Sequence, residues 1–420
     1  MICRSDVVSR CRESPDRDSS ILPLVDHMTT AIRPQVLAPG ATLGMIGGGQ
    51  LGRMFASVAR RMGYRVHVFG DPAHSPTGQL SDRVWDVPLG DTDAVREFAE
   101  SVDVISYEFE NIPLDTVKAA NEVRPVFPGP GLLEFAQHRS LEKSTLQSFG
   151  IPTTQFRVVR STQDLLEAVD ALGEGILKTA TLGYDGKGQV KVTSETDAAD
   201  VWSQLDCEEA IFEQFVAFEF EMSVVAARFG DGQCVAFAPV HNEHVNHILD
   251  LSVSPGPLVT AETAQRAREI AFAILESADV FGVLCVEFFV CGDGDLLVNE
   301  IAPRPHNSGH LTIEACASSQ FEQQVRAVCG LASGDVTQPR PAAMANLLGD
   351  HLQHADTERW QRVFSMSDVA VHMYGKDSVR IGRKMGHLTC VADTAEQAAD
   401  RVREARDILA GPDGRASAAG

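Results

Sequence analysis

The run VLCVEFFVCGDGDLLVNEIAPRPHNSGH, residues 283 to 310, brings two glutamates and then an arginine and a histidine, Arg304 and His306, into one short stretch. Val283 to Val290 and Leu296 to Ile301 are apolar and β-rich, and Asp293-Gly294 between them is a two-residue hairpin signal. With that turn Gly292 pairs with Asp295, and counting outward sets Glu287 opposite Glu300 on one face. Like charges directly opposed across a hairpin repel. A divalent cation removes the conflict, because Mg2+ is commonly held by one or two carboxylates together with nucleotide phosphates. Asn299, beside Glu300, offers a neutral oxygen. The alternative is a solvent-facing hairpin edge with two ordinary surface acids, and the neighbouring motifs decide between them.

A phosphate-binding partner stands upstream. Strand Gly175 to Lys178 runs into a loop with Gly183, Gly186 and Gly188, and Gln189 to Val192 forms the leaving strand. Backbone donors plus Lys187 can meet a polyphosphate while the loop stays mobile, and Lys178 aims a second positive charge at the same anion. No GxxxxGK[ST] opens a helix here, so this is not a P-loop; alone, it would read as an exposed hairpin with ordinary lysines. Glu213-Gln214-Phe215-Val216 ends a strand and enters a linker, where backbone groups can bond a purine edge. Glu221 opens the next strand and can accept ribose hydroxyls. Far downstream, Lys376, Arg380, Arg383 and Lys384 fall within nine residues, where average composition would hold about 0.8. Such a local cluster suits a phosphate, a solvated turn being the alternative.

The elements that must carry these groups begin with ATLGMIGGGQLGRMFASVARRMGYRVHVFG, a strand, a glycine turn, an amphipathic helix and a second strand. Gly47, Gly49 and Gly52 match GxGxxG and Asp71 lies near a ribose-holding position, so a nicotinamide-dependent oxidoreductase is a competing reading. The strand ending in YEFENIP delivers Glu108 and Glu110, and alternation around Phe109 places both acids on one side. HNEHVNH reads as a polar loop over the active site, and His241, His244 and His247 complete no familiar metal spacing.

Length and composition bound the rest. A chain of 420 residues with 44% hydrophobic and 22% charged residues suits a soluble protein of two or three domains. A net charge of -22 argues against nucleic-acid or anionic-membrane partners, and no apolar run reaches membrane-spanning length. Nine cysteines without CxxC suit reduced thiols in the cytoplasm. Residues 1–40 lack periodicity and read as a disordered extension, 41–139 as an α/β domain, 140–335 as a second domain with a lid over about 150–216 and a body from 217. Residues 336–410 read as a small C-terminal subdomain and 411–420 as a disordered tail.

GGGQLGRM, YEFENIP, GYDGKGQ, the FEQF to FEFEMSV linker, VEFFV to NEIAPRPHNSGH, and GRKMGHL stand in the order found in N5-carboxyaminoimidazole ribonucleotide synthases. From about Thr42 to Leu409 the chain resembles this family of ATP-grasp ligases. The resemblance implies an α/β and α+β architecture: an ATP-grasp fold with an N-terminal Rossmann-like pre-ATP-grasp domain and a small C-terminal subdomain, in a homodimer. It implies ATP with Mg2+, or Mn2+ in its place, and the carboxylation of 5-aminoimidazole ribonucleotide by bicarbonate in purine biosynthesis. Formate-dependent glycinamide ribonucleotide enzymes share the lid and hairpin and differ in acceptor.

By the same resemblance, Arg139, Lys178, Gly183, Tyr184, Asp185, Gly186, Lys187, Gly188, Gln189, Glu213, Gln214, Phe215, Val216, Glu221, His244, Asn299 and Glu300 bind the nucleotide. Glu287 and Glu300 hold the metal. Gln50, Leu51 and Glu108 contact the aminoimidazole nucleotide, with Lys376, Arg383 and Lys384 at its phosphate. Asp185, Lys187, Arg304, His306 and Asn307 surround the reacting centre, Arg304 steadying the bicarbonate-derived anion. Ahead of GYDGKGQ the family often has basic residues and a glycine, whereas Ala180, Thr181 and Leu182 stand here.

Overall fold

The first apolar strand, β1 (Thr42–Ile46), is buried along its whole length, as a central parallel strand must be. Around it form α1 (Gln50–Arg61), β2 (Arg65–Phe69), β3 (Arg83–Trp85), α2 (Thr92–Glu100), β4 (Val104–Tyr107) and α3 (Leu114–Val123). The strands make a parallel sheet in the order β3-β2-β1-β4. Phe69, Trp85 and Phe98 pack ring against ring in its core, with Val95, Val117 and Leu133. The computed structural model describes residues 32–181, 183, 188–292 and 294–417.

Helices α4 (Pro130–Ala136) and α5 (Arg139–Ser148) lead to a second sheet. It comprises β5 (Phe156–Val159), β6 (Gly175–Thr179), β7 (Gln189–Val192) and β8 (Ala210–Gln214), antiparallel in the order β5-β8-β6-β7. Helices α6 (Thr162–Leu172) and α7 (Ala198–Leu205) cover it, burying Leu165 and Val201 against Leu177 and Phe212.

The body follows with β9 (Phe218–Arg228), β10 (Cys234–Ala236), β11 (Val240–Val245), β12 (Ile248–Ser254), α8 (Ala261–Ser277), β13 (Gly282–Cys291) and β14 (Leu296–Ala302). After α9 (Thr312–Ala315) and α10 (Gln320–Val328), the chain adds β15 (Ala342–Leu348), α11 (Gly349–Leu352), α12 (Thr357–Phe364), β16 (Val369–Met373), β17 (Lys384–Val391) and α13 (Ala395–Ser417). Strands β15 to β17 extend the body sheet, in the order β14-β13-β9-β11-β12-β15-β17-β16. The join is the pairing of Leu251 to Ser254 with Ala342 to Ala345. Helix α8 packs Ile274 and Leu275 onto Met222, Val224 and Leu284, and α13 packs Val402, Ala405 and Leu409 onto Leu388 and Ala345.

Several local readings change. Residues 32–40, read as part of an aperiodic extension, hold to both the body and the first domain: the Leu37 N–H donates to Cys329 O, and the Tyr64 hydroxyl to Leu37 O. HNEHVNH is a hairpin joining β11 to β12, because Asn246 and His247 both take positive φ (50° and 64°), the geometry of a two-residue primed turn. Beyond a break at Gly411 (φ 69°), the tail resumes helical backbone to Ser417.

Candidate active site

The hairpin that carries the two glutamates reaches the expected pairing by another route. Its turn is one residue longer than Asp293-Gly294 requires: Cys291 N–H donates to Asp295 O and Gly294 N–H to Cys291 O. Gly294 has φ 81°, while Asp293 lies outside the described residues. Val290 therefore faces Leu296, one step off the counted register. A bulge at Asn299 restores the step, and Glu287 does pair with Glu300. The bulge also turns Asn299 out of the ladder, leaving its Oδ1 buried and unpartnered among the described residues.

Both glutamates open into a cavity of about 430 Å3. Its walls come from the lid sheet (Lys178, Gly183, Gln189), the linker (Phe215), the body (Glu221, His244, Phe289, Asn299) and the segment after β14 (Arg304, His306, Asn307). Arg139 and Lys384 complete it. Gly188, Gln214 and Val216 do not line it, and the Gln214 amide donates to Leu172 O in the lid. Tyr184, Asp185, Gly186 and Lys187 lie outside the described residues.

Cations and carboxylates alternate along the floor. Arg139, at the start of α5, reaches Glu300 at 3.1 Å. One turn on, Lys143 is fully buried, donating to Thr154 Oγ1 (2.8 Å) and Asn299 O (3.0 Å). Glu213 lies 3.4 Å from Lys143 and 3.1 Å from Lys178. Burial alone would raise its pKa, but Lys178, Lys143 and Arg139 together pull it down to about 2. Burial depresses Lys143, with Glu213 working against that. Sequence reading missed Lys143, although its i,i+4 spacing from Arg139 was a usable signal.

Glu287 accepts from His306 Nε2 at 2.9 Å. Burial opposes the charge on each, yet His306 lowers the Glu287 pKa, and Cys285 with Glu287 raises that of His306. His244 Nδ1 pairs with the Glu221 carboxylate; burial opposes the charge on this imidazole, and the bond to Glu221 raises its pKa. Arg304 does not stand free for an anion: its Nε and Nη2 hold both oxygens of Glu110, at 2.5 and 2.9 Å. β4 stops at Tyr107, so strand alternation does not extend to Glu108 and Glu110, and the two acids take different partners: Gly49 and Gly52 N–H for Glu108, Arg304 for Glu110.

Glu108 instead closes the glycine turn. Its carboxylate accepts the Gly49 N–H and, at 2.9 Å, the Gly52 N–H, where a dinucleotide enzyme would place pyrophosphate. Asp71 is likewise spent on the Gly48 N–H at 2.8 Å. The turn's anion site is thus filled from within, against the nicotinamide reading. Burial pushes Glu108 up to about 7 in spite of those two donors. Gln50 and Leu51 start α1 beside it, outside the cavity. Lys376 donates to Lys384 O (2.6 Å) and Arg383 to Ser378 O (3.0 Å) in the loop leading to β17. Gln79 ties that loop to the first domain through Gly375 O at 2.7 Å.

The donor set suits a hard divalent ion: two carboxylates in register and the unpartnered Asn299 Oδ1, with room for phosphate oxygens beside them. Among the described residues no group of three or more His, Cys, Asp or Glu gathers into a metal cage. Mg2+ needs none, since it keeps waters and takes the rest of its shell from phosphates.

A small antiparallel lid, a larger body sheet and a charged cavity between them define an ATP-grasp enzyme. Family models agree: the ribonucleotide synthetase preATP-grasp domain matches residues 40–137, the ATP-grasp domain 144–321, and the phosphoribosylaminoimidazole carboxylase C-terminal domain 342–401. The N5-carboxyaminoimidazole ribonucleotide synthase of Brucella melitensis is 44% identical over 84% of this chain and 97% of its own length, and that of Bacillus subtilis 39% over 84% and 92%. The bifunctional purine synthesis protein purC/E of Dictyostelium discoideum is 40% identical over 87% of this chain, which spans 39% of that longer protein. Among solved structures, N5-carboxyaminoimidazole synthetase from Staphylococcus aureus complexed with ADP has TM-score 0.83 and 34% identity, over 90% of this chain and all of that one. The Aspergillus clavatus enzyme in complex with ADP and 5-aminoimidazole ribonucleotide has TM-score 0.80 and 27% identity, over 88% of this chain and 98% of its own. The chain belongs to the N5-carboxyaminoimidazole ribonucleotide synthase family.

Proposed function

We propose that this chain is an ATP-grasp ligase that carboxylates 5-aminoimidazole ribonucleotide in purine biosynthesis. ATP phosphorylates bicarbonate, and the carboxyphosphate, or CO2 released from it, is captured by the exocyclic amine to give N5-carboxyaminoimidazole ribonucleotide, ADP and phosphate. The observation that carries this reading is the register-matched Glu287–Glu300 pair in one cavity with Lys178 and Arg139.

Glu287, Glu300 and Asn299 would hold Mg2+, or Mn2+, which when bound neutralises phosphate charge during transfer. Lys178 and Arg139 supply fixed positive charge on the lid side, and the segment from Gly183 to Gln189, with Asp185 and Lys187, is assigned to the phosphates, where excluding water would protect a labile acyl phosphate. Glu213 to Val216 flank the base, Glu221 with His244 takes the ribose, and the ring of Phe215 forms cavity wall beside them. Gln50, Leu51 and Glu108 face the aminoimidazole nucleotide, with Lys376, Arg383 and Lys384 at its phosphate. His306 and Asn307 sit at the reacting centre, and both amide atoms of Asn307 are buried and unpartnered among the described residues, ready for a ligand. Arg304, committed to Glu110, orders this wall and contributes field rather than a free fork. We also assign a homodimer in the cytoplasm; no described helix is long and apolar enough to cross a membrane.

An omission assay tests the reading. ADP release should require ATP, Mg2+, bicarbonate and aminoimidazole ribonucleotide together. Equal ATP consumption with formate and glycinamide ribonucleotide would assign a different acceptor.

A further inference from the structure

His306 and Asn307, proposed above at the reacting centre, lie beyond the end of β14 and outside any strand. The backbone at His306 is nevertheless paired. Its N–H donates to Gln320 Oε1 at 2.8 Å, and Gln320 Nε2 donates back to its C=O at 2.7 Å. One amide side chain thus does for residue 306 what an adjacent strand would do. The second Nε2 hydrogen goes to His310 Nδ1 at 3.1 Å, an imidazole that burial, helped by the charge on His306, keeps neutral and able to accept. Gln320 is completely buried and does not line the cavity.

The surroundings are built around this amide. A Cβ on Gly309 would stand 2.6 Å from Gln320 Oε1, so that position has no room for a side chain. Thr312 Oγ1 donates to Gly309 O (2.6 Å) and accepts the Gln320 N–H (3.1 Å), locking the loop to the first turn of α10. The same helix reaches the first domain, where Glu322 pairs with Arg61 of α1 and Gln324 donates to Ser106 Oγ of β4 (2.7 Å), while Gln324 Oε1 accepts the Val283 N–H of β13 in the body (2.7 Å). Helix α10 therefore joins the elements that carry Gln50, Leu51 and Glu108 to the loop that carries His306.

We infer that Gln320 is a positioning residue for capture of the carboxyl group, holding the His306–Asn307 segment in register with the acceptor nucleotide bound near α1. This rests on the proposed function. The test is Gln320→Met, which keeps the bulk and removes all three amide bonds, the two to residue 306 and the one to His310, with ADP and carboxylated product measured in parallel. Misplacement of a reacting group by about 1 Å can cost on the order of 10²-fold, so product formation should fall by about that factor. KM for ATP should stay near the parent value, and ADP released per product should rise well above one. Gly309→Ala, which displaces the amide from the opposite side, should show the same uncoupling and serves if the methionine variant does not fold. A purely structural role would lower both rates in proportion; an unchanged ADP-to-product ratio in the folded variants overturns the inference. A parent enzyme that shows no dependence on bicarbonate and aminoimidazole ribonucleotide would instead overturn the functional reading on which it stands.

Discussion

Glu213 shows how much at this site is decided by single side chains. It is buried beside Lys143 and Lys178, and its carboxyl is held down to about 2. A depressed acid stabilises the fold above its unfolded value of about 4.3 and loses that contribution as pH falls toward the folded value. Glu213→Gln leaves two ammonium groups facing a neutral amide. We expect a loss of about 3–5 kcal/mol at pH 7, the range for breaking a buried pair, and a smaller difference from the parent near pH 3, both read by urea unfolding. Glu213 and Lys178 were legible in the sequence as strand-end charges. Lys143, which touches both Glu213 and Asn299 O of the β13–β14 hairpin, escapes sequence reading, because a lysine on a helix is ordinarily a solvated one. Arg304 was legible as a cation near the centre, but its partner Glu110 comes from 194 residues away, a distance no local pattern spans.

At the scale of elements, the sequence carried the strands and glycine turns well and the details of pairing less well. Counting from a two-residue turn sets Glu287 opposite Glu300; a longer turn and a bulge at Asn299 offset each other and keep that pairing. Period-two patterning fixes faces and cannot see a single inserted residue. The histidine-rich hairpin was missed for a related reason: Asn-His is a weaker signal for a primed turn than Asn-Gly. The lid hairpin, by contrast, was read at its observed strands β6 and β7 to within a residue. Gly188 closes it with φ 71°, and a Cβ there would meet Thr179 Oγ1 at 2.8 Å. Gly188→Ala should therefore disturb the ends of β6 and β7 and leave the body intact. We expect KM for ATP to rise roughly tenfold, about 1.4 kcal/mol, with little change in melting temperature. An unaltered KM would place the β6–β7 hairpin away from the phosphates.

For the whole molecule, three sheets meet at one charged cavity although their sequences are far apart, and the motif order along the chain is what made that meeting foreseeable. The extension of the body sheet by β15 to β17 was not foreseeable, since nothing in the residues after 336 marks which sheet edge they join. The same assembly places β13 and β14 under the lid, where a metal gripped by two opposed glutamates can meet a triphosphate. Crystals of the protein grown with Mn2+ and a non-hydrolysable ATP analogue, with anomalous scattering collected at the manganese edge, test this most directly. We expect a peak between the Glu287 and Glu300 carboxylates, in contact with the nucleotide phosphates, and its loss in the Glu287→Gln, Glu300→Gln variant. A bound nucleotide whose manganese sits on other residues, or a peak that survives the double substitution, would contradict it.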